Sequence, residues 1–184
     1  MTNIFLIHGA YGNPDENWFP WLSSELKNLG CSIIAPKFPT PENQNLSSWI
    51  DVFKKYEGSL ENSIVIGHSI GVAFLLNVIE SSEKKIKAAF FVSGFTGLLN
   101  DKRFDEINRT FSDRKFDWKK IKKNCKKFYV FHSDNDPYVP IEKANDLAEN
   151  LSTNVIMVKN AGHFNTKSGY TKFEKLLNNI KKEL

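Results

Sequence analysis

The most constraining stretch of this chain runs from Ser63 to Ile79: a short apolar run, a glycine-bounded turn and a segment that is apolar nearly all round. Ile64-Val65-Ile66 is continuous in β-branched residues, the mark of a strand covered on both faces. Gly67-His68-Ser69-Ile70-Gly71 follows at once, and Ile70–Ile79 has almost no polar side, which predicts the most buried helix of the molecule. A doubly covered strand that turns directly into a covered helix requires a largely parallel sheet with helices on both faces.

The rest of the chain repeats the unit. Further strands are predicted at Ile4–Ile7, Ser32–Ala35, Ala88–Val92, Phe128–Phe131 and Asn154–Val158, six in all with Ser63–Ile66. Between them, apolar residues recur at helical steps: Trp18, Trp21, Leu22, Leu26 and Leu29; Trp49, Val52, Phe53 and Tyr56. Two more such stripes run from Ile141 to Leu151 and from Phe173 to Ile180. The reading is one α/β domain over 1–184, with a compact, six-stranded, mostly parallel sheet. One interval breaks the rhythm. Some thirty residues separate Ser93-Gly94-Phe95 from the strand at Phe128, too many for a simple connection. We read a small lid over about 96–118, then a solvated helix with Trp118, Ile121 and Cys125 on its packed side.

Composition removes other classes. A 41% apolar fraction with 15 Phe excludes disorder. No apolar run reaches the ~20 residues that span a bilayer. Met1-Thr2-Asn3 lacks the basic start of a signal peptide, so the expected setting is the cytoplasm, with Cys31 and Cys125 unpaired. The net charge of +4 is local. Arg114–Lys127 holds eight basic residues and one acid, and the remainder is slightly acidic. A nucleic-acid binder spreads its charge over a groove and interleaves stacking aromatics, so neither nucleic acid nor membrane is an expected partner.

In a parallel sheet, ligands bind outside the C-terminal strand ends, and the chemically able residues of this chain fall there. Ser69 stands in the strand-to-helix turn, where strained geometry exposes a hydroxyl and the helix N-terminus favours negative charge. Gly67 and Gly71 leave room for the crossing backbone. A serine needs a base, itself oriented by an acid. His163, in Gly162-His163-Phe164 after the last strand, supplies the base. Asp136, in Asp-Pro-Tyr-Val-Pro after the penultimate strand, supplies the acid, and Asp134 is left to support the loop. Ser, then Asp, then His is the chain order of α/β-hydrolases. Ile70 N–H and Ala10 N–H are the expected oxyanion donors, with the Tyr11 N–H as second choice. Tyr11, His68 and Trp18 are the expected substrate contacts. Gly9-Ala10-Tyr11-Gly12 fits neither nucleotide-binding glycine pattern, and no histidine has ligand spacing, so neither a bound nucleotide nor a metal is expected. His8 and His132 are read as packed structural residues.

With these residues in view, the chain resembles the α/β-hydrolase superfamily. Within it, the chain is similar to the small serine hydrolases that include bacterial YdeN and retinoblastoma-binding protein 9. His8-Gly9, Asn17-Trp18-Phe19-Pro20-Trp21-Leu22, Gly67-His68-Ser69, Val92-Ser93-Gly94-Phe95, Asp136–Pro140 and Gly162-His163-Phe164 carry the likeness. The resemblance implies a compact version of the hydrolase sheet and cofactor-free hydrolysis of carboxylic esters or related small acyl compounds. The expected assembly is a monomer or weak dimer. A peptidase or thioesterase would use the same triad, and a non-catalytic regulatory protein would keep the fold alone. At this length the pocket is expected to be shallow.

Overall fold

A computed structural model describes all residues, Met1–Leu184. Six strands form one sheet: β1 (Asn3–Ile7), β2 (Ser32–Ile34), β3 (Ile64–His68), β4 (Ala88–Val92), β5 (Phe128–Ser133) and β6 (Val155–Val158). Their spatial order is β2-β1-β3-β4-β5-β6, and every neighbouring pair is parallel. Seven helices connect them: α1 (Phe19–Asn28), α2 (Leu46–Phe53), α3 (Ile70–Ser81), α4 (Lys102–Ser112), α5 (Trp118–Asn124), α6 (Ile141–Asn150) and α7 (Glu174–Lys181).

Strand alternation divides the core in two. Phe5, Val65, Ala89 and Phe91 face a cluster closed by α2 to α6, while Ile4, Leu6, Ile64, Ile66 and Phe90 face a second cluster closed by α1 and α7. Burying both faces is why these strands read as unbroken apolar runs. The all-round apolar α3 has the same explanation. It rests on β1 and β3 beneath and carries α4 and α5 above, so every residue from Ile70 to Ile79 is buried.

Sequence and structure differ chiefly between Gly94 and Phe128. The polar, aromatic-dotted segment contains a regular helix, α4, started by the Asp101 side chain accepting from the Arg103 N–H at 3.0 Å. Most of its polar surface faces outward; Asn108 and Ser112 are buried with Phe111, which packs against Trp49. Polar ties fasten its C-terminal end to α3: Asn77 Nδ2 donates to the Phe111 carbonyl at 3.0 Å, and just beyond the helix Arg114 pairs with Glu80 at 2.7 Å and donates to Asn77 Oδ1 at 2.6 Å. The lysines of α5 lie on its outer side, as the solvated-helix reading requires. Both cysteines are buried and free.

The topology fixes the place of any ligand. From β1 the chain goes to β2 on one side and then returns to place β3 on the other, so the crevice opens outside the ends of β1 and β3. The loop His8–Gly12 leaves one of these ends and Ser69 leaves the other.

Candidate active site

Ser69 occupies the tight turn between β3 and α3 with φ 56° and ψ −125°, a conformation that residues with a side chain seldom adopt. The turn is held because nothing larger fits around it. A Cβ on Gly71 would stand 2.6 Å from the carbonyl oxygens of Ile7 and His8, and one on Gly9 would stand 2.9 Å from the Ser69 Cβ. The two loops therefore meet at van der Waals distance, which brings the first-strand loop against the serine.

Asp136 and His163 are brought together. His163 Nδ1 lies 2.8 Å and 3.1 Å from the two Asp136 carboxylate oxygens, and the carboxylate is almost fully buried. The Tyr138 and Val139 N–H groups donate to Asp136 Oδ1 at 2.9 Å and 3.1 Å. Burial pushes the Asp136 pKa up, but His163 and the Tyr138 N–H outweigh it and hold the carboxyl below its ordinary value. Ser93 Oγ also lowers it, although this buried hydroxyl has no partner at full hydrogen-bonding geometry. Asp134 serves the loop instead, accepting from the Asn160 N–H at 2.7 Å. Ser69 and His163 line one cavity without a direct hydrogen bond between their side chains, a looseness common in unliganded sites.

The loop that carries His163 is tied at nearly every residue. The Ala161 and Gly162 N–H groups donate to Ser133 Oγ at 2.9 Å and Asn135 Oδ1 at 2.8 Å. His68 Nε2 donates to the His163 carbonyl at 2.8 Å, and Trp18 Nε1 to the Phe164 carbonyl at 3.0 Å. Burial, with the neighbouring His163 ring adding to it, drives the His68 pKa down to about 3, so His68 stays neutral and keeps its N–H on that carbonyl.

Two sequence expectations change here. Trp18 does not contact the cavity: it is fully buried, stacked on Phe19 at 4.3 Å, with its indole N–H engaged by Phe164. It anchors the histidine loop rather than touching substrate. The second-choice oxyanion donor also fails, because the Tyr11 N–H already donates to Thr40 Oγ1 at 2.7 Å. No hydrogen bond within the chain engages the Ala10 or Ile70 N–H. Tyr11 and His68 do line the cavity.

That cavity has a volume of about 530 Å³, within the range of pockets that take drug-sized ligands, and is partly open to solvent. Helix α4 contributes Arg103, Phe104 and Asn108 as a wall. Aromatic edges cross it: Tyr11 to Phe104 at 6.5 Å, Phe104 to Tyr138 at 5.6 Å and Tyr138 to His163 at 5.1 Å. Phe95, Leu99 and Val139 complete the apolar part. Sequence reasoning missed these lining residues because an amphipathic exposed helix carries no signal of what its rim faces. No group of three or more His, Cys, Asp or Glu side chains is placed to hold a metal ion.

A parallel sheet with a strained serine at one strand end and a paired Asp–His at two others defines the class: this is an α/β-hydrolase fold. Comparison with known proteins narrows the class to a family. The chain matches the Serine hydrolase family over residues 4–182, and it belongs to that family. It is 30% identical over 172 residues to YdeN of Bacillus subtilis (strain 168), covering 91% of this chain and 88% of that protein. It is 27% identical over 186 residues to serine hydrolase RBBP9 of Rattus norvegicus, covering 100% and 96%. The crystal structure of the B. subtilis ydeN gene product superimposes with a TM-score of 0.93 at 25% identity, over 100% of this chain and 98% of that one.

Proposed function

We propose that this hydrolase cleaves carboxylic esters or related small acyl compounds through a Ser69–His163–Asp136 triad and an acyl-enzyme. One observation carries the reading: a buried carboxylate grips Nδ1 of a histidine that shares a cavity with a strained serine. Ser69 Oγ attacks the acyl carbon while His163 Nε2 takes its proton. The same proton then passes to the leaving group as the carbonyl–leaving-group bond breaks. Asp136 fixes the ring orientation and stabilises its cationic form. The developing oxyanion is received by the Ala10 and Ile70 N–H groups, both without partners and both beside Ser69 in the chain or across the Gly9 contact. Water, activated by His163, then releases the acid. The apolar and aromatic part of the wall, from Phe95, Leu99, Phe104, Tyr138 and Val139, suits an acyl chain, beside polar and charged lining that includes Glu16, Arg103 and Lys167.

A fluorophosphonate probe tests the mechanism directly. The folded wild type is expected to be labelled at Ser69, and Ser69→Ala to remain unlabelled and inactive on a p-nitrophenyl ester series. Labelling of Ser69→Ala at another residue, or an unlabelled folded wild type, removes the reading.

A further inference from the structure

The Ala10 N–H can stabilise an oxyanion only if its loop is fixed before the reaction begins. Two peptide groups flank Ala10, and separate parts of the chain hold them. The Gly9 carbonyl accepts from His8 Nδ1 at 2.8 Å and from the Gly12 N–H at 3.2 Å, which orients the peptide bearing the Ala10 N–H. His8 can donate there because its other nitrogen, Nε2, accepts from the Phe38 N–H at 3.0 Å. The following peptide is held by the Tyr11 N–H on Thr40 Oγ1. Tyr11 has φ 58°, a left-handed conformation that strains a residue with a side chain, so an external hold is needed.

Thr40 is itself one link of a longer chain. Its hydroxyl donates to Gln44 Oε1, and Gln44 Nε2 donates to Asn108 Oδ1 at 2.8 Å. Gln44 and Asn108 are only 7% and 3% exposed. Every donor points the same way, from Tyr11 through Thr40 and Gln44 to Asn108, so each link polarises the next. The Leu46 N–H on Thr110 Oγ1 at 3.0 Å ties the same two segments a second time. Asn108 belongs to α4 and also lines the cavity, and its Nδ2 donates to no group of the chain. A polar strap, buried at its Gln44–Asn108 end, thus runs from the cavity wall to the loop beside Ser69.

We propose that Thr40 is a positioning residue for the oxyanion loop, and that Thr40–Gln44–Asn108 transmits the placement of α4 to the Ala10 N–H. The proposal rests on the acyl-transfer reading above. It makes α4 more than a wall: an acyl group seated against Phe104 and Asn108 steadies the donor that its own transition state uses.

Thr40→Val keeps the shape and removes the hydroxyl; Thr40→Ser keeps the hydroxyl. With p-nitrophenyl butyrate as substrate, Thr40→Val is expected to lower kcat by roughly 10- to 100-fold with KM changed less than about threefold, since a misplaced oxyanion donor weakens the transition state alone. Thr40→Ser should restore kcat to within about threefold of wild type. The rate of Ser69 phosphonylation should fall in parallel with kcat. Wild-type kcat in a folded Thr40→Val overturns the proposal, and so does a loss expressed wholly in KM or in melting temperature. Should Thr40→Val not fold, Gln44→Met cuts the strap one link away, and unchanged kcat there overturns it equally. The two readings fail separately. If Ser69→Ala keeps activity the acyl-transfer reading falls, whereas an inactive Ser69→Ala beside a fully active Thr40→Val sinks only the strap.

Discussion

The two loops that flank Ser69 are held in opposite ways. The histidine loop is fastened locally. Its N–H groups from Asn160 to Gly162 rest on three successive residues, Ser133 to Asn135, and its carbonyls at His163 and Phe164 rest on His68 and Trp18. The first-strand loop has only its own turn and His8 nearby. Its remaining hold passes through three side chains to a helix about a hundred residues further along the chain. Many short ties would keep His163 in place whatever fills the cavity. On the proposed strap, the oxyanion side answers instead to α4. On the proposed mechanism, proton transfer and charge stabilisation are held by separate sets of ties, while residues of both loops border the cavity.

Perturbations of the histidine side measure how complete that separation is. The largest expected effect is from Asp136→Asn. It keeps the shape but offers an amide where His163 Nδ1–H needs an acceptor, and kcat should fall by about 10⁴-fold. Phosphonate labelling of Ser69 should slow by a similar factor. A loss under tenfold would mean that the buried carboxylate does not orient the base. His68→Leu comes next. It strips the donor from the His163 carbonyl but leaves the other ties of the loop in place, so kcat should fall by only about three- to tenfold, less than for Thr40→Val. If the effects of His68→Leu and Thr40→Val on kcat multiply, the two holds are independent; if they do not, the loops move as one unit.

His68 also carries a pH signature. In the unfolded chain its imidazole takes a proton near 6.5, while the native state refuses one until about 3. Between those values unfolding takes up a proton, so stability falls as pH falls across that window. Asp136 adds to the loss only near the bottom, where its lowered carboxyl is finally protonated. The lowered His8 and His132 pull in the same direction. Replacing His68 by Gln should recover about 2 kcal/mol of the stability lost between pH 7 and pH 5, measured by urea unfolding at both. An unchanged difference would show that His68 is charged or exposed in solution.

These contrasts also explain what the sequence could tell. Gly67, Ser69 and Gly71 were legible because each answers a local steric demand, and Ser69 with φ 56° meets it as the motif requires. Asp136 could be preferred to Asp134 on turn chemistry, and the structure places Asp136 on His163 and Asp134 on the Asn160 N–H. Trp18 was misjudged as a substrate contact, since an aromatic near a predicted site has the same pattern whether it faces the cavity or the loop behind it. Its indole N–H meets a carbonyl 146 positions away. The strap was invisible for the same reason. Thr40, Gln44 and Asn108 are ordinary polar residues of loop and helix, and their meaning comes only from the packing of α4 over the sheet end.

The smallest expected effect belongs to Trp18→Phe, and it is the sharpest test of the contrast between the loops. Phenylalanine fills most of the same space between Phe19 and Phe173 but leaves the Phe164 carbonyl unpaired in a buried setting. An orphaned carbonyl of this kind costs about 1–3 kcal/mol, readable as a lower urea midpoint. Activity should change by less than about threefold, because the His163 carbonyl keeps His68 and the N–H groups upstream keep Ser133, Asn135 and Asp134. Stability lost with kcat retained is what redundant local ties produce. A kcat loss as large as that of Thr40→Val would mean that the histidine loop, too, hangs on single contacts, and the distinction between the two sides of Ser69 would have to be given up.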